Sequence, residues 1–120
     1  MTPFAKILRT MVEEVPGMVG GAFAASDGEM VDSFTTADPD EWALITAHYG
    51  VLLSLMHAAF GTWHYGAVQS FVAQHQKFDI MVQAVDQGYY ALIVMTTPAP
   101  LQRGMAYLQQ SVAQLKREMA

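Results

Sequence analysis

The sequence predicts a single α+β domain over residues 1–120, in three layers, with a five-stranded and largely antiparallel sheet between helices. The first observation is the order of elements, which reads helix, two strands, helix, three strands, helix. The second is that neighbouring strands are joined by connections of hairpin length, which favours antiparallel pairing. The third is that the outer helices are apolar on one side, whereas the middle helix is apolar nearly all round. A sheet with helices on both faces buries most of these surfaces.

The first helix and the first two strands are marked by residues that end helices and form turns. Apolar residues recur at helical spacing over about 3–15, and Pro16-Gly17 ends that helix. Two short apolar runs, at about 19–25 and 29–35, flank Asp27-Gly28, which is a strong signal for a two-residue hairpin. These runs are predicted to be the first two strands.

The middle helix is predicted over about 39–61. Asp38 can cap its start, Pro39 fits the first helical position, and Gly61 is a natural stop. The larger apolar stripe of this helix is predicted to face the sheet. It holds Trp42, Ile45, Tyr49, Leu52, Leu53, Met56 and Phe60.

A second apolar stripe on the middle helix has no evident cover within a chain of 120 residues. It holds Leu44, Val51 and Leu55. Leaving these side chains in water would forgo roughly 5–9 kcal/mol of burial energy. The sequence therefore favours a second copy of the chain as the cover.

Three strands and a last helix follow the middle helix. Apolar residues indicate strands over about 67–74, 78–85 and 89–96. The run at 89–96 is continuously apolar, which is typical of a central strand covered on both faces. Strict spacing of three and four residues then predicts a one-sided helix over about 100–119.

The composition excludes several classes of function. Only six residues are Lys or Arg and the net charge is −5, so the basic face of a nucleic-acid-binding protein is missing. The absence of cysteine excludes disulfides and Cys-based metal sites. Because there is no signal-peptide pattern and no run of about 18 apolar residues, no membrane span is expected and the cytoplasm is the expected location. The 52% of hydrophobic residues again indicates an interface.

No arrangement of residues indicates catalysis, a metal site or a cofactor. His57 and His64 are seven residues apart, but the predicted end of the helix lies between them. The glycine-rich segment 16–21 enters a strand, whereas a phosphate cradle leads from a strand into a helix. Asp79 and Asp86 are predicted to face solvent, and no serine stands in a nucleophile elbow. The sequence therefore predicts a protein that is not an enzyme and holds neither cofactor nor metal.

The segment from Ile7 to Ser33 resembles the opening of a Roadblock domain, the family of dynein light chains and bacterial GTPase regulators. Pro16-Gly17 after the first helix and Asp27-Gly28 at the first hairpin are the shared marks, and the order of elements agrees over nearly the whole chain. The chain looks most similar to the stand-alone bacterial partners of gliding-motility and polarity GTPases. The resemblance implies a strand order of 2-1-5-4-3, with the first and last helices on one face and the middle helix on the other.

The resemblance also implies a function and a partner surface. Family members serve as non-catalytic, dimeric platforms that bind Ras-like small GTPases or build larger assemblies, and they pair through the middle helix and the third strand. Carried onto this chain, the homodimer interface holds Leu44, Ala47, His48, Val51, Leu55, Ala58, Val68, Ser70 and Val72. Lys77 and Arg103 are the candidate contacts to a nucleotide-bound partner.

Two other functions stay open from the sequence. One is an adaptor that forms a heterodimer with a paralogous Roadblock protein or another signalling partner and does not contact a GTPase. The other is a sensor of a small ligand, which would need an interior cavity with convergent polar groups. The sequence offers few inward polar side chains for such a cavity.

Overall fold

The helices and strands of the computed structural model follow one another in the predicted order. The structure describes residues 1–86, 88–98 and 100–120. The elements are α1 (Pro3–Glu14), β1 (Met18–Ala25), β2 (Met30–Thr35), α2 (Pro39–Phe60), β3 (Ser70–Gln74), β4 (Phe78–Ala84), β5 (Tyr89–Thr96) and α3 (Leu101–Met119). Gln87, in the predicted connection before the fifth strand, and Ala99, in the predicted break before the last helix, lie outside the described residues.

The five strands form one sheet in the order β2-β1-β5-β4-β3, and every neighbouring pair is antiparallel. This confirms the predicted fold class and strand order. β5 lies at the centre between β1 and β4, and it is buried from Tyr90 to Met95. The prediction that the continuous apolar run is a central strand is therefore correct, because both of its faces and both of its edges are covered.

One face of the sheet packs against α1 and α3. Leu8 and Met11 of α1 and Leu108 and Leu115 of α3 are fully or almost fully buried there. Asp79 of β4 lies on the same face, since it stands two residues from the buried Met81 in an extended strand. Its exposed fraction is only 3%, so the prediction that Asp79 faces solvent is wrong.

α2 covers the other face of the sheet. Its N-cap is the predicted Asp38, whose carboxylate accepts a hydrogen bond from the Glu41 N–H at 3.0 Å. Trp42, Tyr49 and Leu53 are its large buried side chains, and they pack on the apolar face of β1, β4 and β5. The sheet between α2 and the α1–α3 layer completes the predicted three layers.

Glycines set how closely α2 approaches the sheet. A Cβ atom on Gly20 of β1 would overlap the ring of Trp42. A Cβ atom on Gly50 of α2 would lie 2.6 Å from the carbonyl oxygen of Gly28 in the β1–β2 turn. α2 therefore lies tightly against β1 and the β1–β2 turn.

The third strand is shorter than predicted. β3 begins at Ser70, whereas the prediction began it at residue 67, so Ala67 and Val68 lie in the connection after α2. The reason is the length of its neighbour. The ladder with β4 starts at Ser70 opposite Gln83, and β4 ends one residue later, which leaves no strand for the earlier residues to pair with.

Candidate functional site

The side of α2 that points away from the sheet is apolar and open to solvent. Leu44, Val51 and Leu55 are each 62% exposed. These are the three residues of the predicted second stripe, and no element of the described chain covers them. Such a contiguous apolar surface on a small protein usually marks an interaction site.

This surface is also free of charge. From Trp42 to Gln76 the chain contains no Asp, Glu, Lys or Arg, so the stretch includes nearly all of α2 and the whole of β3. All 11 acidic residues and all six basic ones lie outside this stretch, with Glu41 directly before it and Lys77 directly after it. Charge is depleted at the centres of protein interfaces, and this stretch shows that composition.

An apolar groove lies between the C-terminal half of α2 and β3. It has a volume of about 540 Å³ and is lined by Leu52, Leu55, Met56, Ala59, Phe60, Val68, Phe71 and Ala73. Leu52 and Phe60 were predicted to face the sheet, but they are 39% and 38% exposed. The prediction is wrong for these two because α2 is held over β1 by the close glycine contacts, which leaves its other flank clear of β3.

A second cavity lies beside the N-terminal half of α2, next to the β3–β4 turn. Its volume is about 520 Å³, and we call it the polar-ended cavity because histidine, tyrosine and lysine side chains lie among its apolar walls. It is lined by Leu44, Ile45, His48, Tyr49, His75, Gln76, Lys77, Phe78 and Ile80.

Two hydrogen bonds orient the polar groups of this cavity. The Tyr49 hydroxyl lies 2.6 Å from Nε2 of His75. Nδ1 of His48 lies 2.7 Å from the carbonyl oxygen of Leu44, which can only accept, so this nitrogen carries the proton. Burial raises the pKa of the Tyr49 phenol, so the hydroxyl is neutral at physiological pH and keeps its proton to donate.

The structure gathers most of the predicted interface residues on one side of the molecule. Ala47, His48 and Ala58 are exposed on α2 beside the second stripe. Ser70 and Val72 are exposed on β3, an edge strand of the sheet, whereas Val68 is half-buried and precedes the strand. Their pairing with a second copy stays a prediction.

The two candidate partner contacts are separated. Lys77 is exposed in the β3–β4 turn and lines the polar-ended cavity with Leu44 and His48. Arg103 is exposed in the first turn of α3, which packs on the opposite face of the sheet. A single partner on the α2 side of the molecule therefore meets Lys77 and not Arg103.

Sequence reasoning missed an aromatic cluster after α2. Trp63 is 49% exposed and Tyr65 is 76% exposed. The Trp63 ring centroid lies 5.5 Å from that of Phe60 and 5.0 Å from that of Tyr65. The signal that could have found this cluster is the uncharged aromatic run itself, which was treated only as a helix end.

α2 is long and apolar enough to cross a membrane by length and composition, and little of its most apolar part is buried. In the structure this helix packs on the sheet through Trp42, Tyr49 and Leu53. In the part of the chain that the structure describes, no three His, Cys, Asp or Glu residues cluster as a metal site.

Solved structures with the same fold are known. A Roadblock/LC7 domain from Streptomyces avermitilis is similar at a TM-score of 0.78 and 17% identity over 95% of each chain. The gliding protein mglB from Thermus thermophilus is similar at 0.80 and 15% identity, over 98% of this chain and 90% of that one. An MglB with a tetrameric arrangement is similar at 0.77 and 14% identity, over 93% and 84%.

These likenesses show the fold. No family model and no curated protein matches the sequence. The chain has the Roadblock/LC7 fold that its Pro16-Gly17 and Asp27-Gly28 marks predicted, and a gliding protein is among its structural neighbours, as the resemblance implied.

Proposed function

We propose that this chain with the Roadblock/LC7 fold is a non-catalytic, dimeric regulator or scaffold of a Ras-like small GTPase in cell polarity or motility. The observation that carries the proposal is the uncovered apolar side of α2 on this fold, with Leu44, Val51 and Leu55 each 62% exposed. A soluble, cytoplasmic protein would need a partner for this surface.

The first partner in this proposal is a second copy of the chain. Burying the exposed parts of the three side chains would contribute roughly 3–6 kcal/mol per protomer before the entropy of association is subtracted. β3 supports the same pairing, because it is an edge strand without a single charged residue. Edge strands that avoid pairing usually carry charge, proline or a bulge.

The second partner is a Ras-like GTPase. Support comes from the fold shared with a gliding protein and with an MglB that forms a tetrameric arrangement. The groove beside Leu52 and Phe60 shares Leu55 and Val68 with the proposed dimer interface, and its other lining residues add apolar surface for a further partner. Lys77, at the end of this side of α2, is the cation available to an acidic partner.

The test is direct binding. Ras-like GTPases from the same genome would be loaded with GDP or with a non-hydrolysable GTP analogue and titrated against the protein by calorimetry. We expect one of them to bind in a nucleotide-dependent way, and the rate of GTP hydrolysis measured in parallel would separate a regulator from a scaffold. Failure of every such GTPase to bind in either state would refute the proposal.

An adaptor function is the second candidate. The same uncharged face of α2 and edge of β3 would accept a paralogous Roadblock protein as readily as a second copy. Neither surface carries a charged residue that would favour one of these partners over the other. Light scattering distinguishes the two. A stable monomer that becomes a heterodimer with a paralogue would favour the adaptor.

A further inference from the structure

The polar-ended cavity has the composition of a ligand site. Its volume of about 520 Å³ lies within the range of small-molecule sites. Ile45, Phe78 and Ile80 supply apolar walls, and Tyr49, His75 and Lys77 supply polar groups. The groove at the other end of α2 has no comparable set of polar groups, because all of its lining side chains are apolar.

The hydrogen bond between Tyr49 and His75 leaves a donor free. The site uses the neutral His75 tautomer that is protonated on Nδ1, in which Nε2 accepts a hydrogen bond from the Tyr49 hydroxyl. His75 is exposed, so this Nδ1–H can donate to a ligand.

Lys77 gives the cavity its charge. In the part of the chain that the structure describes, the ammonium group of Lys77 forms no ion pair with a carboxylate. The ion pair among these residues joins Arg9 and Glu13 on α1. Glu41 directly precedes the uncharged stretch from Trp42 to Gln76, but it does not line the cavity. An anion entering the cavity would therefore meet an uncompensated cation, while an ammonium ligand would be repelled.

His48 narrows the choice of ligand further. Its Nδ1–H is donated to Leu44, so its Nε2 is an acceptor when the ring is neutral and adds no donor for an anion. Two donors, Nδ1–H of His75 and the ammonium group of Lys77, match the two oxygens of a carboxylate. A phosphate would bring more charge than a single lysine balances.

We propose that this cavity binds an apolar group that ends in a carboxylate. The carboxylate would lie between Lys77 and His75, and the apolar part would pack against Ile45, Phe78 and Ile80. A free acid and the C-terminus of a polypeptide share this chemistry. The inference goes beyond the proposed function, and the cavity shares Leu44 and His48 with the proposed dimer interface and Lys77 with the proposed contact to an acidic partner.

The test uses octanoate and 1-octanol, which differ in the carboxylate, and follows amide chemical shifts by NMR. Octanoate should shift resonances around Tyr49 and His75 with millimolar affinity, as expected for about ten non-hydrogen atoms. 1-Octanol should bind there at least about threefold more weakly. In Lys77→Gln the affinity for octanoate should fall about three- to fivefold while that for 1-octanol is unchanged.

Lys6→Gln is the matched control, because Lys6 is an exposed lysine on α1 at the opposite face of the sheet. The dipeptide acetyl-Phe-Leu and its amide form the second arm. Tighter binding of octanoate identifies a free acid, and tighter binding of the dipeptide acid identifies a polypeptide C-terminus; each supports the site. Equal binding of octanoate and 1-octanol, shifts confined to other surfaces, or equal loss in Lys77→Gln and Lys6→Gln would overturn the proposal.

Discussion

At the scale of single residues, the position of α2 depends on glycines, which have no Cβ atom. Gly50 lies in the middle of a helix, where glycine is usually less favourable than alanine by about 1 kcal/mol. Here the missing Cβ lets the helix backbone reach Gly28 in the β1–β2 turn. The same close contact holds α2 over β1 and leaves its other flank open as a groove.

Gly50→Ala is therefore expected to destabilise the protein by about 1–3 kcal/mol, against the usual trend for helices. The reason is that the new Cβ would lie 2.6 Å from the carbonyl oxygen of Gly28, which is backbone and cannot rotate away. Gly104→Ala in α3 is the control, since its Cβ would meet the side chains of Met95 and Met81, which can move. Urea denaturation of both variants checks this, and an equal or smaller loss in Gly50→Ala would contradict it.

Tyr49 predicts how stability changes at alkaline pH. Burial raises its pKa above the ordinary value of 10.0, so the unfolded chain loses the phenol proton before the folded chain does. The free energy of unfolding should therefore be unaffected by Tyr49 below about pH 10 and fall as the pH rises further. Burial raises the pKa of Tyr90 in the same way, which adds to the fall in the free energy of unfolding.

Tyr49→Phe should lower stability at neutral pH by about 1 kcal/mol, because the hydrogen bond to His75 is lost. The substitution should also make the free energy of unfolding fall less steeply at alkaline pH. Tyr65→Phe, at a position 76% exposed, is the control and should change neither quantity. Denaturation curves from pH 7 to 11 measure both, and identical profiles for the two variants would show that Tyr49 has no such role.

At the scale of elements, the sequence predicts what local signals determine. Pro16-Gly17, Asp27-Gly28 and the Asp38 cap act within a few residues, and the structure places a helix end, a hairpin and a helix start at these points. The continuous run at 89–96 likewise required only its own pattern to be identified as the central strand.

Features that depend on distant partners were not predictable in this way. The start of β3 depends on where β4 ends, and the burial of Asp79 depends on the layer packed against that face of β4. Leu52 and Phe60 fit a sheet-facing stripe on a helical wheel, but the position of α2 is set by Gly28 and Gly50. The link between Tyr49 and His75 joins two elements and has no signature along the chain.

The two sides of α2 should respond oppositely to the same substitution. Val51→Glu places a charge on the exposed side and is expected to yield a soluble monomer, because the carboxylate would be desolvated in a dimer. Tyr49→Glu places the charge on the sheet side, where the exposed fraction is 7%, and should unfold the protein or destabilise it severely.

Val31→Glu is the control for Val51→Glu, since this valine is 46% exposed on β2 at the opposite edge of the sheet. Light scattering at micromolar concentration should show a dimer for the wild type and for Val31→Glu, and a monomer for Val51→Glu. A dimeric Val51→Glu would show that the second stripe is not the pairing surface.

At the scale of the whole molecule, charge and apolar surface are segregated. The α1 and α3 layer carries most of the basic residues, whereas the stretch from Trp42 to Gln76 carries no charge. A net charge of −5 generally favours solubility, but the side of α2 that faces away from the sheet carries no charge of its own. An exposed apolar side of this kind is suited to contact with protein or with lipid, since α2 is also long and apolar enough to cross a membrane.

Protein is the expected cover. Crossing a bilayer would require α2 to separate from the sheet and would expose the apolar side chains that pack beneath Trp42, Tyr49 and Leu53. Binding flat on a lipid surface is also disfavoured, because the exposed side of α2 has no lysine or arginine to meet anionic headgroups. We therefore expect the purified chain to have twice its mass of 13.2 kDa by light scattering and not to float with vesicles in a density gradient. Vesicles of zwitterionic lipid and of anionic lipid should give the same result. Flotation of the wild type that Val51→Glu abolishes would identify lipid as the cover for α2 and would overturn the dimer.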